Sequence, residues 1–241
     1  MKRENDQTHN WAKPTAHLEL GQIAGDAMNI NVAGRQLNSP LQGFGQLWQK
    51  TYRLPLVNAT LEPQEIIADW KRNFASYWPG ENRFYGSAEG VAPGEVAVLN
   101  LSMPGGMRVT TGIRVIYADD ASFSFMTPQG HMFAGMITFS AEAEDGLTWV
   151  QIQAMVRAGD PLYEIGCRLK FAHTMEDKFW HDTLQNLRKA LGADFKAVEQ
   201  STQLIDPRVQ WGEVGNIWHN AAIRTMLYLP IHLGKKMLLR G

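Results

Sequence analysis

The side chains of greatest chemical interest are seven histidines, one cysteine and the arginines that interrupt otherwise apolar runs. His131 follows Gly130 in a turn that feeds a strand. An imidazole there, with its near-neutral pKa, would suit proton transfer on a polyketide-like substrate. The same ring could instead hydrogen-bond the turn and fix the strand entrance, and that role is favoured because spacing identifies no partner carboxylate. Cys167, beside Gly166, reads as a nucleophile or, more simply, as a small core hydrophobe. Arg114, Arg157 and Arg168 are the charges of most interest, since one turned into a cavity would grip a ligand carboxylate or phosphate through two parallel hydrogen bonds. Strand alternation sets Arg114 opposite Val109, Ile113 and Val115, on the solvent side. Arg157 shares its face with Trp149, Gln151, Gln153 and Met155, a mixture that suits either a pocket or water.

Other chemistries find no support in the spacing. His173 and His181 would lie about two helical turns apart. The pairs His9/His17 and His219/His232 do not suit one local site, and no His-Glu-x-x-His run or Cys/His pattern occurs, so no metal is expected. Gly43-Phe-Gly45 lacks a third glycine and precedes a strand instead of opening a helix. Pro104-Gly105-Gly106 is simpler as a hairpin turn, so no dinucleotide or other cofactor is expected. Lys+Arg 23 against Asp+Glu 24 leaves a net charge of -1, which disfavours nucleic acid as a partner. A single cysteine, and a charged N-terminus with no apolar stretch after it, point to the cytoplasm. No run approaches the roughly 18 apolar residues of a membrane span. The 241 residues, 44% of them hydrophobic, suit one domain with appendages. The 8 Trp, 10 Phe, 6 Tyr and 11 Met hint at a lined cavity, an interface or a membrane contact.

The elements that must position these groups follow from periodicity. Met28, Ile30 and Val32 alternate as a short strand would, and Gln46–Val57 reads as a strand that Pro55 assigns to a sheet edge. Pro63 opens a helix whose apolar face is Ile66, Ile67, Trp70, Phe74 and Tyr77, stopped by Pro79-Gly80. Between about 94 and 157, short alternating runs are joined by tight turns at Pro104-Gly105-Gly106, Asp119-Asp120, Pro128-Gln129-Gly130 and Asp145-Gly146. Connections this short require antiparallel pairing. A short helix begins at Pro161. A longer one, expected to be capped by Thr174 and Asp177, carries Trp180, Leu184, Leu187 and Leu191 to Gly192. Residues 195–206 read as extended, and Asn216 is a candidate cap for a last helix ending near Leu229-Pro230.

This order, strand, helix, antiparallel meander, long C-terminal helix, predicts an α+β fold in which a curved antiparallel sheet grips the helix. The run Phe125-Met-Thr-Pro-Gln-Gly-His-Met-Phe-Ala-Gly-Met-Ile-Thr-Phe, followed by Asp145-Gly-Leu-Thr-Trp and the helix through Phe179, resembles the START/helix-grip (SRPBCC-like) superfamily, and within it an uncharacterised bacterial family. The resemblance implies a hydrophobic pocket between sheet and helix. It also implies ligands in the range of sterols, phospholipids, flavonoids or polyketides, with some members acting as cyclases or aromatases. It divides the chain into an N-terminal extension (1–40), a helix-grip ligand-binding domain (41–192) and a C-terminal strand/helix extension (193–241).

On that frame, Val109, Ile113, Val115, Tyr117, Phe123, Phe125, Phe133, Ile137 and Phe139 converge on the concave face, with Trp180 and Leu184 closing it. A cavity lining and a packed core place the same demands on these positions. Polar candidates to orient a ligand are His131, Tyr117 and Arg157; His131 and Tyr117 are also the candidates for catalysis. The expected function is binding of an apolar small molecule or lipid. The alternatives are a cyclase or dehydratase acting on a bound chain, and an interaction protein that docks on a membrane or partner through 217–241. In that tail, Trp218, Met226, Leu233 and Met237 alternate with Arg224, Lys235, Lys236 and Arg240, a composition found at the inner membrane face.

Overall fold

Tight turns between alternating strands produce an antiparallel sheet. The computed structural model, which describes residues 8–21, 29–58, 61–87 and 90–228, contains eight strands. They are β1 (Leu47–Leu56), β2 (Arg83–Tyr85), β3 (Val96–Ser102), β4 (Arg108–Ala118), β5 (Ser122–Met126), β6 (Phe133–Glu144), β7 (Leu147–Ala158) and β8 (Glu199–Asp206). The helices are α1 (Pro63–Asn73), α2 (Pro161–Arg168) and α3 (Phe171–Ala190). The sheet order is β2-β3-β4-β5-β6-β7-β1-β8. Its curled concave face holds α1 and α3, and the arrangement is a helix-grip fold.

Pro55 marks a local sheet edge, although β1 itself is an interior strand. β1 lies between β7 and β8, but β8 pairs only as far as Arg53, so Pro55 sits beyond its end and lacks a neighbour on that side. The missing N–H of proline therefore leaves no ladder bond unmade. β8 also carries the sheet past residue 192.

α1 begins where Pro63 fixes a helical φ and the Glu65 carboxylate accepts the Glu62 N–H. Its buried Ile66, Ile67 and Trp70 meet Phe123 and Phe139 of the sheet, with Trp70 edge-on to both rings at 5.9 and 5.3 Å. Phe74 joins them in a short 3₁₀ turn. α3 starts earlier than the Thr174–Asp177 pattern implies. Lys170 takes a left-handed conformation (φ 61°) before it, and Thr174 Oγ1 donates back to the Lys170 carbonyl, so neither residue caps the helix.

The convex face is covered by the N-terminal segment. Leu18 and Val32 pack on Val96 and Val98. At Gly112 any Cβ would press into Val32, so the close approach needs glycine. Arg114, expected in solvent, is on the expected face but buried there, donating to the Lys13 carbonyl at 2.8 Å. Residues 30–34 form a turn where the Ile30/Val32 alternation suggested a strand; Met28 lies outside the described residues.

Residues 211–219 form 3₁₀ turns and 221–228 are helical. Asn220, not Asn216, caps this last helix: its Oδ1 accepts the Ile223 N–H and its Nδ2 donates to buried Asp160. Asn216 instead ties the segment to the Gln42 and Gly159 carbonyls. The tail positions from Leu229 to Arg240 lie outside the described residues. Among the described residues no helix is long and apolar enough to cross a membrane.

Candidate functional site

A sheet curled around one helix cannot pack against it along its whole length, and the gap here is a cavity of about 410 Å³. Its walls are β3–β7, α3 and the 3₁₀ turn after α1. Ile113, Phe125, Phe133, Ile137 and Trp180 line it, together with Phe74, Trp78, Leu99 and Phe179. Val115, Phe123, Phe139 and Leu184, grouped with them by alternation, are buried in the packed core behind the lining. Lys178 and Asp182, exposed and paired at 2.6 Å, mark the rim. A volume of several hundred cubic ångströms with mostly apolar walls is the usual form of a small-molecule site.

Three candidates lie elsewhere. β4 carries a bulge between Val115 and Tyr117: Val115 pairs with Phe125, but Tyr117 pairs with Ser124. One extra residue inverts the alternation, so Tyr117 leaves the concave face, packs at a tilt against Trp11 and donates its hydroxyl to Asp119. Val109 packs on Ala221 and Ala222 of the last helix. Arg157 is neither solvated nor in the cavity. It is buried on the outer face, where its guanidinium donates to the Gly45 and Arg208 carbonyls and pairs with Asp206 at 2.7 Å. It is a clasp between β7, the start of β1 and the end of β8.

His131 does line the cavity. Its Nδ1 lies 3.0 Å from both the Phe133 nitrogen and the Phe133 carbonyl oxygen, accepting the N–H in one tautomer and donating to the carbonyl in the other. Burial pushes the imidazole pKa down to about 4, against smaller upward contributions from the Phe133 backbone and Glu176. The ring is therefore neutral at physiological pH, and the general acid role its sequence position suggested loses its proton. Cys167 is buried and its thiol is pushed up to about 12, chiefly by desolvation, so it is not a nucleophile. Arg168 extends outward and pairs with Glu164.

Alternation and helix spacing hold a signal for a polar cluster that reaches this cavity through Glu176. Lys50 stands on β1 between Trp48 and Tyr52, on the face that turns inward, and its side chain is 1% exposed. Its ammonium donates to Asp177 Oδ1 at 2.7 Å and lies 2.9 Å from Glu176 Oε2; Tyr52 also donates to Asp177 Oδ1, at 2.7 Å. Burial pulls the Lys50 pKa down, but Glu176 and Asp177 more than offset it, and the ammonium ends above an ordinary lysine. Burial likewise works against Asp177, yet the Lys50 and Tyr52 hydrogen bonds hold its pKa below the usual carboxylate value. Glu176 falls four residues before Trp180, on the stripe that α3 turns inward. It is 8% exposed and reaches the cavity. A lysine at an inward strand position and a glutamate on a buried helical stripe are the marks of this cluster; Tyr52 was read only as part of a strand. His173 completes the group, its Nδ1 4.0 Å from Glu176 Oε2 and its ring against Trp48. No group of three or more His, Cys, Asp or Glu able to hold a metal occurs among the described residues.

Residues 67–186, which run from α1 through most of α3 and include every cavity-lining residue, match the family described as Domain of unknown function (DUF1990). Over that stretch the chain is similar to the DUF1990 family. Lys50 and Tyr52 lie before the DUF1990 segment, although they complete its polar cluster. No curated protein matches the sequence. Among solved structures, protein Ms6760 from Mycobacterium smegmatis is similar at 12% identity and a TM-score of 0.44, over 61% of this chain and 93% of that one. The di-domain ARO/CYC StfQ from the steffimycin biosynthetic pathway is similar at 9% identity and a TM-score of 0.46, over 60% of this chain and 50% of that one. Ara h 8.0201 is similar at 10% identity and a TM-score of 0.41, over 60% of this chain and 97% of that one.

Proposed function

We propose that this protein binds an apolar small molecule or lipid in the cavity between sheet and α3, as a carrier or a sink. The observation that carries the reading is the cavity itself, about 410 Å³ with apolar walls inside a polar rim. Ligand binding there gains free energy by removing apolar surface from water, and a few polar groups set orientation. His131 is one such group, since its ring lines the cavity while its Nδ1 is spent on the Phe133 backbone. In a cyclase or dehydratase His131, neutral at physiological pH, would serve as a base and another group would have to supply the acid. On this reading residues 41–192 supply the binding unit and the flanking segments brace its outer face.

Native mass spectrometry of the protein purified from its own host tests this. Retention of an adduct that mild denaturation releases is expected, and its mass names the ligand class. Repeated absence of any adduct, with apolar probes also failing to bind, overturns the reading. A second reading, contact with a membrane through 217–241, draws on Trp218 and Leu227, which are 81% and 71% exposed. Equal vesicle co-sedimentation by the wild type and by a Trp218→Ser/Leu227→Ser variant would remove this contact.

A further inference from the structure

Among the described residues, two cavity-lining side chains keep polar atoms short of partners, the Trp78 indole N–H and the Glu176 carboxylate, and only the second can accept. Glu176 is more than nine-tenths buried and lines the cavity. Its Oε2 is taken by the Lys50 ammonium at 2.9 Å and is closed off from the cavity, while no hydrogen bond reaches its Oε1 among the described residues. One ammonium thus serves two carboxylates, and Asp177 also takes the Tyr52 hydroxyl. The other lining carboxylate, Asp182, is satisfied at the rim by Lys178. His131 Nδ1 is spent on the Phe133 backbone in either tautomer. A buried carboxylate short of donors is costly, and an incoming donor recovers much of that cost.

We infer that Glu176 is a specificity-determining anchor, and that the ligand is an apolar molecule carrying a hydroxyl whose O–H is donated to this carboxylate. A neutral hydroxyl fits better than an ammonium, because the surrounding walls would have to desolvate a full charge. The inference rests on the binding reading above and adds the ligand's polar group and its direction: apolar body among Phe125, Phe133, Ile137 and Trp180, hydroxyl toward α3.

The test compares 2-naphthol with 2-methoxynaphthalene, nearly matched in shape and differing in one donor, by ligand-observed NMR titration of the full chain. The wild type is expected to prefer the naphthol by about tenfold, the scale of one hydrogen bond to a charged group. Glu176→Leu should reduce the preference to about twofold or less while the ether still binds. Lys50 keeps Asp177 in that variant, which preserves its ion pair; Glu176→Gln, which retains a neutral acceptor, should fall between. If neither probe binds the wild type, the binding reading fails and the anchor with it. If both bind equally, the anchor fails and the binding reading stands. A preference that survives in Glu176→Leu overturns the assignment to this residue. Should Glu176→Leu not fold, an undiminished preference in Glu176→Gln overturns it equally.

Discussion

Replacing Lys50 by methionine would keep most of its stem and remove its ammonium, leaving Glu176 and Asp177 facing one another without a cation. Breaking a buried pair from one side costs about 3–5 kcal/mol, so Lys50→Met is expected to unfold at markedly lower urea than the wild type, read by circular dichroism. His131 makes a prediction of the opposite kind, visible only as pH changes. Its pKa is about 4 in the folded chain and near 6.5 when unfolded, so between these values the unfolded state binds the proton and the folded state does not. Stability should therefore fall as pH drops from about 6.5 to 4 and level off below. Denaturation midpoints of His131→Gln across that window should show a shallower fall than the wild type. The same pH slope in both proteins would show that the imidazole does not titrate this way. His219, also lowered by burial and by Arg35 and Arg224, is present in both and cancels. These residues show the limit of pattern reading. The inward parity of Lys50 was visible in Trp48-x-Lys50-x-Tyr52, but its partners come from α3, and no local pattern specifies which helix face meets which strand.

At the scale of elements, the turn holding Gly130 is where the C-terminal segment docks. Gly130 has φ 92° and its carbonyl accepts the Ala221 N–H, while a Cβ would collide with the His219 carbonyl. Gly130→Ala is expected to cost about 2–3 kcal/mol from backbone strain and displacement of 211–228. Limited proteolysis should then cut that segment before the sheet; unchanged cleavage kinetics would count against the docking. The meander was legible because β3 to β7 are joined by turn-forming residues between alternating runs, and local chemistry dictates such pairings. The position of β1 was not, since its neighbours β7 and β8 come from distant parts of the chain. Tyr117 was misplaced for a third reason. A bulge adds one residue to a strand without a sequence mark here, and every side chain beyond it changes face.

For the whole molecule, the cavity makes stability a function of what fills it. A ligand present at about 100 times its dissociation constant adds about 2.7 kcal/mol. Stripping the protein by mild unfolding and refolding should lower its melting temperature, and returning the extracted ligand should restore it; identical melting curves would argue that nothing was bound. The cavity's existence was implied by the helix-grip order of elements, but its inner chemistry was not, because the polar cluster joins β1 to α3 across 127 residues. That distance has a consequence for biogenesis. On the ribosome, β1 emerges with both edges unpaired long before β7, α3 and β8 exist, an invitation to intermolecular strand pairing. A lysine in the middle of its apolar face interrupts that stretch with a hydrated charge. The ammonium that locks the folded core thus places a hydrated charge in the apolar face of β1 while the chain is still growing.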